Sequence, residues 1–508
     1  MPNKIDSNIT GLRYAEEASL KTLPGSPIFY QLEPNSYSDF GGQISTIARN
    51  PINPSRQRKK GVTTDLDASG GFNQDLTINN TTRLMQGFFF ADAREKKTTA
   101  PLNTTATVIT GVTGASKTYA AAADMTGFPT GTLINATGFG VTANNGIKTL
   151  ASNSTATNVV VAEVISDETT PPATAKLDTV GFQFPTADVQ IVMNGSLVRL
   201  QATATNMTTL GVIAGEWIFL GGDAATTNFA VNRGFARVSV VTATYWEFDK
   251  ISWSGAIAEV GTGKTIRVFT GMLLKNEDNP ALIKRRTYHV ERTLGNDNDG
   301  VMSEYLVGAV PNEFTLNVAQ ADKVNIDLSF VAVDNEQRTG LQGVKTGARP
   351  NLIPASAFNT SSDFSRIKLS LVSATNPAPT PLFAFATEMT LTVNNNVTPN
   401  KAIAVLGAFD TSAGTFEVGG SMTAYFSDVT AVQAVRGNSD VTIDMIMVKK
   451  NLGMIFDMPL ISLGDGRLSV EQDQAITIPL ETNAAESKFG NTLTFVNFSY
   501  LPDLAGGV

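Results

Sequence analysis

The chain has no cysteine and a single histidine, His289. Disulfides, thiolate metal sites and cysteine nucleophiles are thereby excluded, as is any centre that needs two imidazoles. Charge is sparse as well: 17% of the 508 residues are Asp, Glu, Lys or Arg, and the formal net charge is −8. Proteins that grip nucleic acid gain affinity by neutralising phosphates, so an acidic chain is expected to let DNA slide past rather than hold it. No run of about 18 apolar residues occurs, and Met1-Pro-Asn-Lys-Ile-Asp has no apolar core behind a basic start. The expectation is a soluble chain made in the cytoplasm, with no membrane segment. Tryptophan is limited to three residues between 217 and 253, which confines any sugar-stacking platform to that interval.

What is abundant is Thr, Asn, Ala, Gly and Val, with 42% hydrophobic residues overall. That composition favours many short strands over long charged helices, and the length predicts several domains at roughly 100–200 residues each. The strongest internal signal is a repetition. Ser69-Gly-Gly-Phe-Asn-Gln-Asp-Leu76 precedes a helical stretch that buries Leu84, Met85 and Phe88, with Asn79 or Asn80 as candidate cap. Gly419-Gly-Ser-Met-Thr-Ala-Tyr-Phe426 precedes a second helical stretch, capped by Ser427 or Asp428, with Val429, Val432 and Val435 three apart. Both halves read strand, long loop, glycine-bearing strand, short helix and then several strands.

Alternating strands follow each helix. Phe314, Leu316 and Val318, then Val324, Ile326, Leu328 and Phe330, and later Met389, Leu391 and Val393 place apolar residues on one face and polar ones on the other. Between Thr98 and Lys264 the text changes to Thr, Ala, Asn and Gly. There Gly131-Thr-Leu-Ile-Asn-Ala with Asn144-Asn-Gly146 is echoed by Gly215-Glu-Trp-Ile-Phe-Leu with Asn232-Arg-Gly234, suggesting two small barrel-like or sandwich units. The predicted organisation is residues 1–99 plus 265–335 as a first fold, 100–264 as a β-rich outer insertion, 336–381 as a linker, and 382–508 as a second fold.

Motifs that could carry chemistry dissolve on inspection. Gly261-Thr-Gly-Lys-Thr265 has Ala258 where a phosphate-binding loop needs its first glycine, and a strand follows where a helix is required. Asn296-Asp-Asn-Asp-Gly300 lacks the bidentate twelfth ligand of a calcium loop, since Leu306 stands there, and reads as a turn. His289 lies in a strand without a second ligand or nucleophile nearby. No catalytic, cofactor or metal residue is therefore assigned. The loop from Ile44 to Lys60 carries two Asn-Pro pairs and the cations Arg49, Arg56, Arg58, Lys59 and Lys60, with no aromatic residues interleaved for base stacking. It is either a solvated loop or one that pairs with an acidic surface of a neighbouring subunit.

In these stretches the chain resembles the tail tube proteins of tailed bacteriophages. The likeness rests on Tyr37-Ser-Asp-Phe-Gly-Gly-Gln-Ile-Ser45, Arg56-Gln-Arg-Lys-Lys60, Ser69–Leu76, Arg83-Leu-Met-Gln-Gly-Phe-Phe-Phe90, Leu306–Leu316, Leu391-Thr-Val-Asn-Asn-Asn396 and Gly419–Asp428. It spans roughly residues 20–98 and 265–505 and leaves the insertion outside. The resemblance implies two tandem tail-tube-type β-sandwiches, each with a short helix, and a loop reaching a neighbouring subunit or ring. It further implies a non-enzymatic virion tail subunit that self-assembles into stacked rings through which double-stranded DNA passes without specific binding. Two folds per chain imply trimeric pseudo-hexameric rings, with a hexamer as the alternative, and a tape measure protein and tail terminator as partners. A carbohydrate-binding adhesin or virion decoration protein is the rival reading, and a β-rich polysaccharide-degrading enzyme a third.

Overall fold

The computed structural model describes residues 7–507 apart from 53, 56, 79, 80, 298, 299 and 384. The candidate caps Asn79 and Asn80, Arg56, and part of the Asn296–Gly300 turn thus lie outside the described residues. The protein is mainly β, and its strands gather in one sixteen-stranded sheet and one ten-stranded sheet, with two smaller ones.

In chain order the large sheet comprises β1 (Gly11–Glu16), β2 (Tyr30–Leu32), β3 (Pro34–Arg49) and β4 (Lys59–Asp75), followed by α1 (Thr82–Phe89). It resumes with β5 (Met272–Lys275), β6 (Tyr288–Asp297), β7 (Gly300–Ala319), β8 (Asn325–Ala332) and β9 (Asp334–Arg338). Then come β10 (Phe364–Leu371), β11 (Ala386–Asn394), β12 (Glu417–Tyr425), α2 (Thr430–Arg436), β13 (Val441–Lys449), β14 (Leu452–Asp465), β15 (Thr477–Ala484) and β16 (Thr494–Phe498).

The duplication is visible in the pairing. The first fold runs β3–β4–β8–β7–β6–β1 and the second β11–β12–β15–β14–β13–β10, every neighbour antiparallel. Registers agree too: Phe72 opposes Leu328 and Tyr37, as Met422 opposes Leu480 and Met389. This equivalence aligns Gly70 with Gly420, one residue away from a match of the two Gly-Gly pairs. A one-residue slip would turn every side chain to the other face, so burial rather than glycine spacing sets the alignment. The stretch expected as a linker, 336–381, contributes β9 and β10 to the sheet.

Each helix lies over its own fold for the reason its sequence shows. Leu84, Met85, Phe88 and Phe89 share one face of α1 and are buried, with the Phe88 ring 5.6 Å from Phe314 and 5.5 Å from Phe330. The helix stops at Phe90, which adopts a left-handed φ of 49°. In α2 the buried residues are Ala431 and Ala434, whereas Val429 is exposed and Val432 and Val435 only border the core. Two of the three spaced valines thus flank the core, and small alanines at its centre let the helix approach β14 closely. Asp428 does cap its start, accepting from the Thr430 amide at 2.7 Å.

Residues 109–177 and 182–268 form two apolar cores, but Lys176–Gln183 pairs with both Thr132–Thr137 and Arg267–Thr270, so both share the open ten-stranded sheet. The echoed segments are the hairpins Thr132–Thr137 with Gly146–Thr149 and Trp217–Leu220 with Gly234–Val241. A further core joins this sheet to the second fold: Trp217, Phe219 and Phe235 pack with Ile446, Ile455 and Phe498. Although residues 100–264 leave the chain between α1 and β5, they rest against β13, β14 and β16.

Candidate functional site

Alternation gives the large sheet two unlike faces. Ile326, Leu328 and Phe330 of β8 point into the core, so Asn325, Asp327 and Ser329 occupy the opposite face. The same face carries Asp67, Ser69, Asn73 and Asp75 of β4, Glu313, Thr315 and Asn317 of β7, and Glu388, Thr390, Thr392 and Asn394 of β11. It continues through Ser421 and Thr423 of β12 to Glu481 and Asn483 of β15. Cross-strand hydrogen bonds knit it together: Asn73 donates to Asp327 at 2.8 Å, Asn317 donates to Asp327 at 2.7 Å, and the Thr315 and Thr392 hydroxyls are 3.1 Å apart. Its charged residues are all acidic. No Lys or Arg occurs in β7, β8, β11, β12, β14 or β15, nor in β4 between 65 and 75. Nearby cations sit beyond the strand ends, Lys323 2.7 Å from Asp75 and Lys401 paired with Asp65 and Asp67.

The two folds are joined edge to edge. Glu313–Ala319 of β7 pairs with β8 on one side and with Glu388–Asn394 of β11 on the other. In the second fold, Ile461–Asp465 of β14 pairs with β15, and past Ile461, which also pairs with Val441, no second neighbour is found among the described residues. Beyond it, Ser469 and Thr477 exchange backbone hydrogen bonds at 2.9 and 3.3 Å. Antiparallel alternation then turns the amides of Leu468 and Val470 away from β15. At the other end, β3 pairs with β4 alone. Among the described residues the polar-faced part of the sheet thus ends in two unlike free edges, one equivalent to β7 and the other to β11.

The segment expected as a long polar loop from Ile44 to Lys60 is instead mostly a two-stranded ribbon. The β3–β4 ladder continues from Gln43 opposite Asp67 to Arg49 opposite Lys59, leaving Pro51 and Pro54 in the connection. Alternating Thr, Ser and β-branched residues pair readily as strands, and sequence polarity concealed this because the ribbon has no core beneath it. Ile47 and Val62 stand directly opposite each other and are 62% and 55% exposed, and Ile44 is 58% exposed. Arg49, Arg58, Lys59 and Lys60 are exposed at its end, where Arg49 directly opposes Lys59. The corresponding connection in the second fold bears a hairpin, Thr398–Lys401 with Ala408–Ser412, that the sequence reading missed. It lies on the first fold: Arg285 is 3.1 Å from Asp410, and Gly407 is close to the Leu66 and Val333 carbonyls.

The remaining motifs serve structure. Lys264 closes a turn onto the Gly261 carbonyl at 3.0 Å. His289 is buried, with Nδ1 2.7 Å from Glu17 and Nε2 2.8 Å from the Lys345 ammonium. Burial works against the Glu17 charge, yet hydrogen bonds from His289, Thr287 and the Gly308 amide hold its carboxyl below the usual range. Trp217, Trp246 and Trp253 are all buried, so none offers a flat surface to a sugar. Among the described residues no cluster of His, Asp or Glu is arranged to hold a metal, and no helix is long and apolar enough to cross a membrane.

Comparison with known families gives two matches to one model, that of the phage tail tube protein, over residues 7–251 and 205–484. No curated protein matches the chain.

Proposed function

Given that the chain belongs to the phage tail tube protein family and is a structural subunit of the tail, we propose that three copies close a pseudo-sixfold ring, and that rings stack into a conduit for double-stranded DNA. The observation that carries this reading is the joint between β7 and β11. It is an edge-to-edge contact between two copies of one fold, and the chain's outer edges are the same two halves left unjoined. If the β14 edge of one chain takes β3 of the next as β7 takes β11, the polar-faced strands close into a continuous ring. An open edge is a hazard in a monomer and the assembly device in a ring.

The face rich in Ser, Thr, Asn and carboxylates would then line the channel. Fixed negative charge, with Lys323 and Lys401 as cations only at its margin, repels phosphate and leaves DNA free to move, which suits transit rather than binding. The ribbon ending in Arg49, Arg58, Lys59 and Lys60 would reach a neighbouring copy. The like charges of Arg49 and Lys59 face each other, an unfavourable pairing that an acidic surface on a neighbour would relieve. Native mass measurement and electron microscopy of purified rings test the stoichiometry: three chains per ring are expected, and six would overturn the proposal.

A further inference from the structure

We propose that residues 100–264 are the obligatory outer lid of the second fold, an interaction surface whose partner is β13, β14 and β16 of the same chain, and not a removable decoration. The two folds cover their equivalent outer faces in different ways. On the first fold, the outer face of β6 and β7 carries His289, Glu291 and Tyr305, and it is covered locally. Phe29 packs on Tyr305, and the 340–350 connection brings Arg349 to within 2.6 Å of Glu291 and Lys345 to His289.

The equivalent face of the second fold carries a more demanding set. Asp444 of β13 stands directly opposite Asp457 of β14, and both side chains are fully buried. Two carboxylates side by side repel each other, and out of water each requires a cation. Around them Ile446, Val448, Ile455, Val496 and Phe498 form an apolar field. Of the second fold's own strands, only β10 provides cations beside the two carboxylates: Arg366, 2.6 Å from Asp444, and Lys368, which stands opposite Asp444 in register. The rest comes from the 100–264 stretch. Arg237 bonds Asp457 at 3.0 Å and Asp249 at 2.9 Å, and the buried Lys250 ammonium pairs with Asp444 and lies 3.1 Å from the Thr442 hydroxyl. Trp217, Phe219 and Phe235 cover the apolar field. Seam contacts run both ways: Arg366 donates to the Ile251 carbonyl at 2.9 Å, and Lys488 reaches Asp249 at 2.8 Å. A domain that merely projected from the first fold would need none of these partners.

The test uses the full chain, because deleting 100–264 could prevent folding for unrelated reasons. In the double variant Arg237→Met, Lys250→Met, hydrogen exchange should rise in β13, β14 and β16 while β4 and β8 keep their protection, and ring assembly should fall. Adding Asp444→Asn and Asp457→Asn removes the stranded charges and should restore protection to those three strands. Wild-type exchange and assembly in the double variant would overturn the proposal, as would exchange that rises equally in β4 and β8, or a quadruple variant no better protected than the double.

Discussion

Proline at Leu468 and Val470 probes the ring joint with the least damage to the chain itself. Ser469 makes the inward bonds to Thr477, so the flanking amides face the free edge, and Leu468→Pro, Val470→Pro removes donors that the isolated chain leaves to solvent. The internal joint provides the scale, since β7 and β11 pair over seven residues a side, Glu313–Ala319 with Glu388–Asn394. Each lost amide forfeits about 0.5–1.5 kcal/mol net and leaves a partner carbonyl unsatisfied at about 1–3 kcal/mol more. One joint should therefore weaken by about 2–4 kcal/mol even if only one of the two amides is used. Three joints in a closed ring add to about 6–12 kcal/mol, at least about four powers of ten in the association constant at 1.4 kcal/mol per tenfold. Analytical ultracentrifugation should show a folded monomer with an unchanged circular dichroism spectrum and no rings at concentrations where the parent chain assembles. Normal rings in the doubly substituted chain would refute pairing through this edge.

Ser329→Lys with Thr392→Lys puts cations on the acidic face without touching the core; assembled tubes should then retain double-stranded DNA at low salt and release it as salt rises, whereas the parent tubes should not. Burial resists the charges of Asp249 and Asp444, but Arg237 and Lys488 beside the first, and Lys250 and Arg366 beside the second, hold both carboxyls below the ordinary value of 3.8. Their contribution to stability is full above that value and is lost as pH falls through the lower folded-state pKa, so thermal unfolding temperature should stay level from pH 7 to about 4 and drop below it, with β13 and β14 opening first. Gly420→Ala should destabilise by about 1–3 kcal/mol, because a Cβ there would lie 2.1 Å from the Thr390 carbonyl oxygen; a denaturant midpoint equal to that of the parent chain would contradict the packing described.

Local regularities were legible because they are set by near neighbours. Alternation in β7, β8 and β11 predicted which residues are buried, Leu84, Met85 and Phe88 predicted the face of α1, and the duplicated order of strands and helix predicted two folds. The acidic sheet face was legible in principle as well, since the strands that build it lack Lys and Arg altogether outside the ribbon. The absence of cysteine and the lone His289 exclude thiolate and two-imidazole sites, whatever the shape of the chain.

Tertiary structure decided the rest. Tyr37 and Phe72 had to be seen opposite each other before the ribbon replaced a loop, and β10 in the expected linker gains its meaning only from β13. Arg237 and Asp457 are separated by 220 residues yet share a buried ion pair. Loop closure costs grow only logarithmically with separation, so sequence distance says almost nothing about which remote strands will meet. What selects them is complementarity that exists only once both surfaces are folded: two opposed carboxylates on one, and an arginine and a lysine at matching spacing on the other.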